Sequence, residues 1–151
     1  MHSCRLFYCW YSMRQIHHQI SVSTPGRGMH EITQEIRQWV RLSGIHSGML
    51  TVFMRHTSAS LMIQENADPS VQADLERFFA RLVPDGDPVF QHRQEGKDDM
   101  AAHVRTALTQ IHLSIPVVDG APVLGTWQGV FVYEHRYESR SRNVMLHLIG
   151  E

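Results

Sequence analysis

Apolar positions along the chain change period several times, and each change marks an element. Ile32, Ile36, Trp39 and Val40 fall at i, i+4, i+7 and i+8, one face of a helix expected over about 31–43, with Gly44 as its stop. Asp68-Pro69 opens a second helix, with Asp as the cap and Pro at the first helical position. Val71, Leu75, Phe78, Phe79 and Leu82 are its expected core face, and Pro84, Gly86 and Pro88 end it. A third helix is expected from Asp98 and Asp99, which suit the positive end of its dipole, to about Gln110. The β-forming stretches 14–23, 49–56, 61–63, 112–118, 130–136 and 144–149 read as strands. Pro25, Gly26 and Gly28 break the chain after the first strand, and Asp119-Gly120 predicts a hairpin to a short strand at 122–124. The strands cluster late instead of alternating with helices, which argues for an α+β fold over a doubly wound parallel sheet.

Composition narrows the class. The 151 residues, 42% apolar, suit one domain with one core. A net charge of −1 offers no electrostatic footprint for nucleic acid or an anionic membrane surface, and no apolar run is long enough to span a bilayer. Cys4 and Cys9, the only cysteines, both precede residue 13. A disulfide framework or thiolate zinc site inside the domain is therefore excluded, and a cytoplasmic setting is expected. Residues 1–12 (MHSCRLFYCWYS) are aromatic-rich without a clean signal-peptide pattern. They are expected to be a poorly ordered extension, with Met13 as the natural start and 13–151 as the domain.

The chemistry-bearing residues gather at element ends, where sites usually form. The chain has 11 histidines, so position must discriminate among them. Asp99 and His103 are four apart on an expected helix and share a face, either as an orienting carboxylate beside a ligating imidazole or as an ordinary surface pair. His92 falls in a loop and His56 at a strand end; with His103 they make a plausible three-histidine metal site, although no compact signature such as HExxH is present. Glu65 is a candidate proton-transfer group or a helix-start carboxylate, Asn66 binds a ligand or completes a turn, and Ser58 offers a hydroxyl to phosphate or finishes a strand. Trp127, between Gly125 and Gly129, is a stacking platform or an interface aromatic. Trp39 and Phe78 are expected in the core. Glu134 and Arg136 alternate in an expected strand, so they share a face and need partners or a ligand if buried; Arg142 is a candidate partner or anion binder.

In order, the clusters are HTSAS at 56–60, ENADP at 65–69, H..EGKDDM.AH at 92–103, LGTWQG at 124–129, EHR at 134–136, SR at 141–142 and a terminal GE. Together they resemble the YjbQ family, associated with secondary thiamine-phosphate synthase activity, and the resemblance covers about residues 14–151. It implies an α+β sandwich of a mostly antiparallel sheet with about three helices, assembled as a homotrimer with a polar pocket near subunit contacts. His56, His92 and His103 become the implied ligands of a divalent metal, Zn2+ or Mg2+. His56, Glu65, Asn66, Asp99, Glu134 and Arg136 become catalytic candidates, and Ser58, Trp127 and Arg142 candidates for binding a small phosphorylated metabolite. The chain departs from the family pattern at Gln64, Ser70, Lys97 and Ala101 without losing a candidate functional side chain. Two other readings stay open: a metal-dependent hydrolase or phosphatase using a bound water, and a non-enzymatic trimeric protein that binds a metabolite or metal.

Overall fold

The computed structural model describes residues 12–151, so the expected extension at 1–12 falls almost wholly outside the described residues. Eleven elements follow in order. They are β1 (Arg14–Thr24), β2 (Gly28–Glu31), α1 (Thr33–Ser43), β3 (Gly48–Met54), β4 (Ala59–Glu65), α2 (Pro69–Leu82), α3 (Asp99–Leu108), β5 (His112–Val118), β6 (Ala121–Pro122), β7 (Gln128–Glu134) and β8 (Arg140–Gly150). The strands form two antiparallel sheets, one ordered β1-β8-β3-β5-β6 and the other β2-β7-β4. Among the described residues no helix is long and apolar enough to cross a membrane.

Strand alternation builds the core. β5 and β8 bury every second residue, among them Leu113, Ile115, Val117, Val144, Leu146 and Leu148. These meet Leu50 and Val52 of β3, Leu61 of β4, Val130 and Val132 of β7, and Ile36 and Val40 of α1. Truncating one such side chain to Ala costs about 2–5 kcal/mol. The β5–β6 hairpin turns where expected, with φ of 51° at Asp119 and 73° at Gly120, the left-handed pair that a two-residue hairpin requires.

Three expectations are corrected. The short strand β2 falls where only a chain break was expected, held by pairing Gly28–Glu31 against Glu134–Phe131, a contact that no local periodicity announces. β7 stops at Glu134, so His135 and Arg136 leave the sheet instead of continuing its alternation. The apolar face of α2 is not core: none of its residues is buried, and Phe78 and Leu82 are 49% and 55% exposed. The cap itself is as expected, with the Asp68 carboxylate accepting the Ser70 N–H at 2.8 Å. α2 lies outside the three-stranded sheet, where Phe79 meets the edge of Tyr133 and Glu76 accepts the Tyr133 hydroxyl at 2.6 Å. Glu76 also pairs with Arg105 at 3.5 Å and Arg27 at 3.9 Å, so this one carboxylate and an aromatic contact help hold a helix that the core does not cover. Trp39 is half-buried against the core and stacks on His18.

Candidate metal centre and its surroundings

The loop after α2 delivers His92 to the start of α3, where Asp99 stands in the first turn with His103 one turn on. His92 Nε2 lies 2.8 Å and His103 Nε2 3.4 Å from the same oxygen, Asp99 Oδ2. One ligand atom from each residue lies within 4.8 Å of the others, and the rings of His92 and His103 are 5.7 Å apart. His103 Nδ1 lies 3.0 Å from the Thr57 carbonyl oxygen. A carbonyl only accepts, so Nδ1 carries the proton and the Nε2 lone pair is left for a ligand, the arrangement in which an outer hydrogen bond sets the tautomer of a metal-binding imidazole.

Asp99 is 2% exposed and needs compensation, which comes from Arg136. That guanidinium pairs with Asp99 Oδ1, donates to Asp98 Oδ2 at 3.0 Å and donates to the Glu95 carbonyl at 2.6 Å. The departure of Arg136 from β7 is what lets it reach the helix start. Asp98 also accepts the Tyr137 N–H at 3.0 Å. Burial disfavours the Asp98 anion, yet the Tyr137 and Arg136 hydrogen bonds hold its carboxyl below the usual carboxylate range.

His56 stands outside the trio. Its Nε2 accepts the Asn143 N–H at 2.8 Å, which leaves it a neutral imidazole protonated at Nδ1. Burial, with the nearby Arg142 charge, pushes its pKa down and keeps it neutral. In the single chain Asp99 therefore takes the place that the resemblance gave to His56 beside His92 and His103.

Glu134, Arg142 and Ser58 come together but engage one another. Arg142 grips the fully buried Glu134 carboxylate through Nε and Nη2, both at 2.6 Å, and Nη2 also reaches Ser58 Oγ at 3.0 Å. Thr24 Oγ1 and the Arg136 N–H complete the carboxylate's bonds at 2.8 and 2.9 Å. Burial works against the Glu134 charge, but these donors hold its carboxyl below its ordinary value. The strand face that the pattern gave to Glu134 and Arg136 together does not form, because β7 ends at Glu134; Glu134 instead ties β7 to β1 and β8 through Thr24 and Arg142.

Glu65, Asn66 and Trp127 gather elsewhere. β4 and β7 run antiparallel from the pair Ala59–Glu134 to the pair Glu65–Gln128, so these residues sit at the opposite end of the sheet, about 20 Å away at the rise of a strand. There the Asn66 N–H donates to the Trp127 carbonyl at 3.1 Å, its Nδ2 lies 3.4 Å from Glu31 Oε1, and Trp127 is 63% exposed. The buried Gly129 permits this approach: a Cβ there would lie 2.8 Å from Glu31 Oε1.

Two cavities adjoin the trio. One, of about 290 Å³, includes His92 and the loop cations Arg93 and Lys97 in its wall. The other, of about 380 Å³, is lined by His56, Thr57, His103, Thr106 and Ile111. Sequence reasoning missed the Thr57 carbonyl, which no side-chain pattern could reveal, and missed Asp98 as a partner of Arg136. It also missed His135, buried with Nε2 2.9 Å from Ser60 Oγ.

The sequence and this architecture agree with known proteins. The family model described as UPF0047 protein YjbQ-like matches residues 18–151. The chain belongs to the YjbQ/UPF0047 family. It is 49% identical over 140 residues to the UPF0047 protein sll1880 of Synechocystis sp., covering 93% of this chain and 95% of that one. Against the UPF0047 protein YjbQ of Salmonella typhimurium the identity is 42%, covering 87% and 96%. Among solved structures, a conserved hypothetical protein from Thermus thermophilus superposes with a TM-score of 0.76 at 34% identity, covering 85% of this chain and 96% of that one. A YbjQ-like protein of unknown function from Sulfolobus solfataricus superposes with a TM-score of 0.85 at 24% identity, covering 93% and 100%, a likeness of fold. The YjbQ-like architecture of two antiparallel sheets and three helices is thus the scaffold on which the trio sits.

Proposed function

We propose that this protein is a divalent-metal-dependent enzyme acting on phosphorylated small molecules, with His92, Asp99 and His103 as the metal ligands. The observation that carries the reading is the meeting of these three ligand atoms within 4.8 Å of one another, one imidazole held in the ligating tautomer by a backbone carbonyl. Two imidazoles and a carboxylate suit zinc better than magnesium, which favours oxygen ligands. A bound divalent ion supplies neutralisation of phosphoryl charge and polarisation of oxygen at such a site.

The chain's own residues divide the remaining work. Arg136 orients Asp99, while Glu134 and Arg142 neutralise each other and hold Ser58, so these three position the site rather than touch substrate. His56, neutral and protonated at Nδ1, offers a donor in the cavity that includes His103. The reaction favoured by the family resemblance is thiamine-phosphate-synthase-like transfer. In it the bond between the pyrimidine methylene carbon and its diphosphate oxygen breaks, the thiazole nitrogen forms a new C–N bond to that carbon, and pyrophosphate leaves. Such a reaction needs two reactants held in line and charge compensated on the leaving group. Two cavities beside one candidate metal centre support that assignment. Glu65, Asn66 and Trp127 are out of reach within one chain; in the homotrimer that the resemblance implies, a neighbouring copy supplies them.

The test is turnover by purified, zinc-loaded protein given both substrates. Thiamine phosphate and pyrophosphate are expected, and both are lost on chelation and in His103→Ala. Absence of metal-dependent product rejects the synthase reading. Hydrolysis is a second reading, favoured by the exposure of the His92 and His103 side chains, 46% and 33%, which admits water to the trio. Phosphate released from a single ester without a second substrate selects it, and tight binding without turnover selects a binding protein.

A further inference from the structure

The loop between α2 and α3 closes on itself beside the trio. The Gly86 N–H donates to the Lys97 carbonyl at 2.9 Å, so segment 86–97 begins and ends at one point, as in an Ω-loop. Gly86 and Gly96 form its neck at φ of 69° and 108°, values that side chains rarely adopt. Its cavity of about 290 Å³ is lined by Gly86, Asp87, Phe90, His92, Arg93 and Lys97, among others.

The charges around this cavity are unbalanced. Arg93 is fixed by donating from Nε to the Phe90 carbonyl at 2.7 Å and from Nη2 to the Pro88 carbonyl at 3.0 Å, neutral partners that leave its charge uncompensated. Lys97 is the chain's single lysine among 14 cationic residues, and among the described residues it joins no ion pair. Its stem lies over Gly86, where an added Cβ would stand 3.5 Å from Lys97 Cδ. The acid in this wall, Asp87, turns Oδ1 to the Val89 N–H at 2.9 Å, and the neighbouring Asp98 and Asp99 are engaged by Arg136. The wall carries two cations, Arg93 and Lys97, against the single carboxylate of Asp87, and that excess suits an external anion.

We infer that this loop cavity is the subsite for a phosphoryl group of the substrate, gripped by Lys97 and Arg93, with His92 as the wall shared with the metal trio. The inference rests on the proposed function for the metal and for the substrate class, and it locates where the charged end of that substrate lies.

The test uses pyrophosphate as probe and calorimetry on the full chain, metal-free, with zinc affinity measured separately. Lys97→Ala is expected to weaken pyrophosphate binding about tenfold or more, the worth of one charge-assisted hydrogen bond, while Lys97→Arg retains it. Zinc affinity is expected to be unchanged in both variants. His103→Ala is expected to do the reverse, losing zinc and keeping pyrophosphate. Pyrophosphate should also protect the lone lysine of the wild type from reductive methylation, read by mass spectrometry, a measurement that needs no variant to fold. Undiminished binding in Lys97→Ala, absence of binding in the wild type, or equal methylation with and without pyrophosphate overturns the subsite. Failure of the wild type to bind zinc, with the Lys97 effect intact, overturns the metal reading and leaves the subsite standing.

Discussion

His103 donates its Nδ1 proton to the carbonyl oxygen of Thr57 at 3.0 Å, and this one bond aims Nε2 at Asp99. His103 is therefore expected to be a ligand, and His56, whose Nε2 is committed to the Asn143 N–H, is not. Zinc competition against a chromophoric chelator checks this. His92→Ala and His103→Ala should each lose more affinity than the about 10–100-fold typical of a missing supporting bond. His56→Ala should leave zinc affinity essentially unchanged, and a loss equal to that of His92→Ala would place His56 among the ligands.

Arg136 is the only guanidinium paired with Asp98 or Asp99 among the described residues, and removing it strands Asp99 in a buried position. Arg136→Met is expected to cost about 3–5 kcal/mol in urea denaturation, the range for breaking a buried pair from one side. Arg136→Lys should recover only part of this, since a point charge cannot serve three acceptors in one plane.

His135 is expected to stay neutral far below the ordinary range of histidine. Burial, reinforced by the Arg105 charge, lowers its pKa to about 3. The unfolded chain takes up a proton near pH 6.5, where the folded one does not. This group's contribution to stability is therefore complete above that pH and is lost as pH falls toward 3, at up to about 1.4 kcal/mol per pH unit. Its ring resonances should not titrate between pH 7 and 4.5, and a midpoint near 6 would refute the placement. His135→Gln should flatten the acid side of the stability curve.

On the proposed homotrimer, Trp127 and His103 come from different copies and line one pocket. Trp127→Ala should change the stability of the single chain by no more than about 0.5 kcal/mol, as for an exposed position. Each of Trp127→Ala and His103→Ala is expected to lack activity alone, while co-refolded mixtures regain a fraction of it. Light scattering showing a monomer at working concentrations, or no recovery on mixing, would separate Trp127 from the pocket.

The elements whose local signals agree with their packing were legible from the chain. Alternation in His112–Val118 set both bounds of β5, the Asp68-Pro69 opening set the start of α2, and Asp119-Gly120 set the hairpin turn. α2 shows where such signals stop. Its apolar spacing is the same whether the face meets a core or half meets solvent, and only the placement of the sheet distinguished the two.

The sequence by itself determined the family, the α+β class, most element positions and the pairing of Asp99 with His103, because each depends on residues close in the chain or on ordered short motifs. Tertiary structure decided that His92 joins that pair, that Thr57 sets its tautomer, that Arg136 serves Asp99, and that Glu134 and Arg142 satisfy each other. It also sent Glu65, Asn66 and Trp127 to the far end of β4 and β7. The physical reason is that buried charges and imidazole tautomers are set by partners supplied through chain reversal, often by backbone atoms identical in every residue, and one-dimensional spacing carries no record of them.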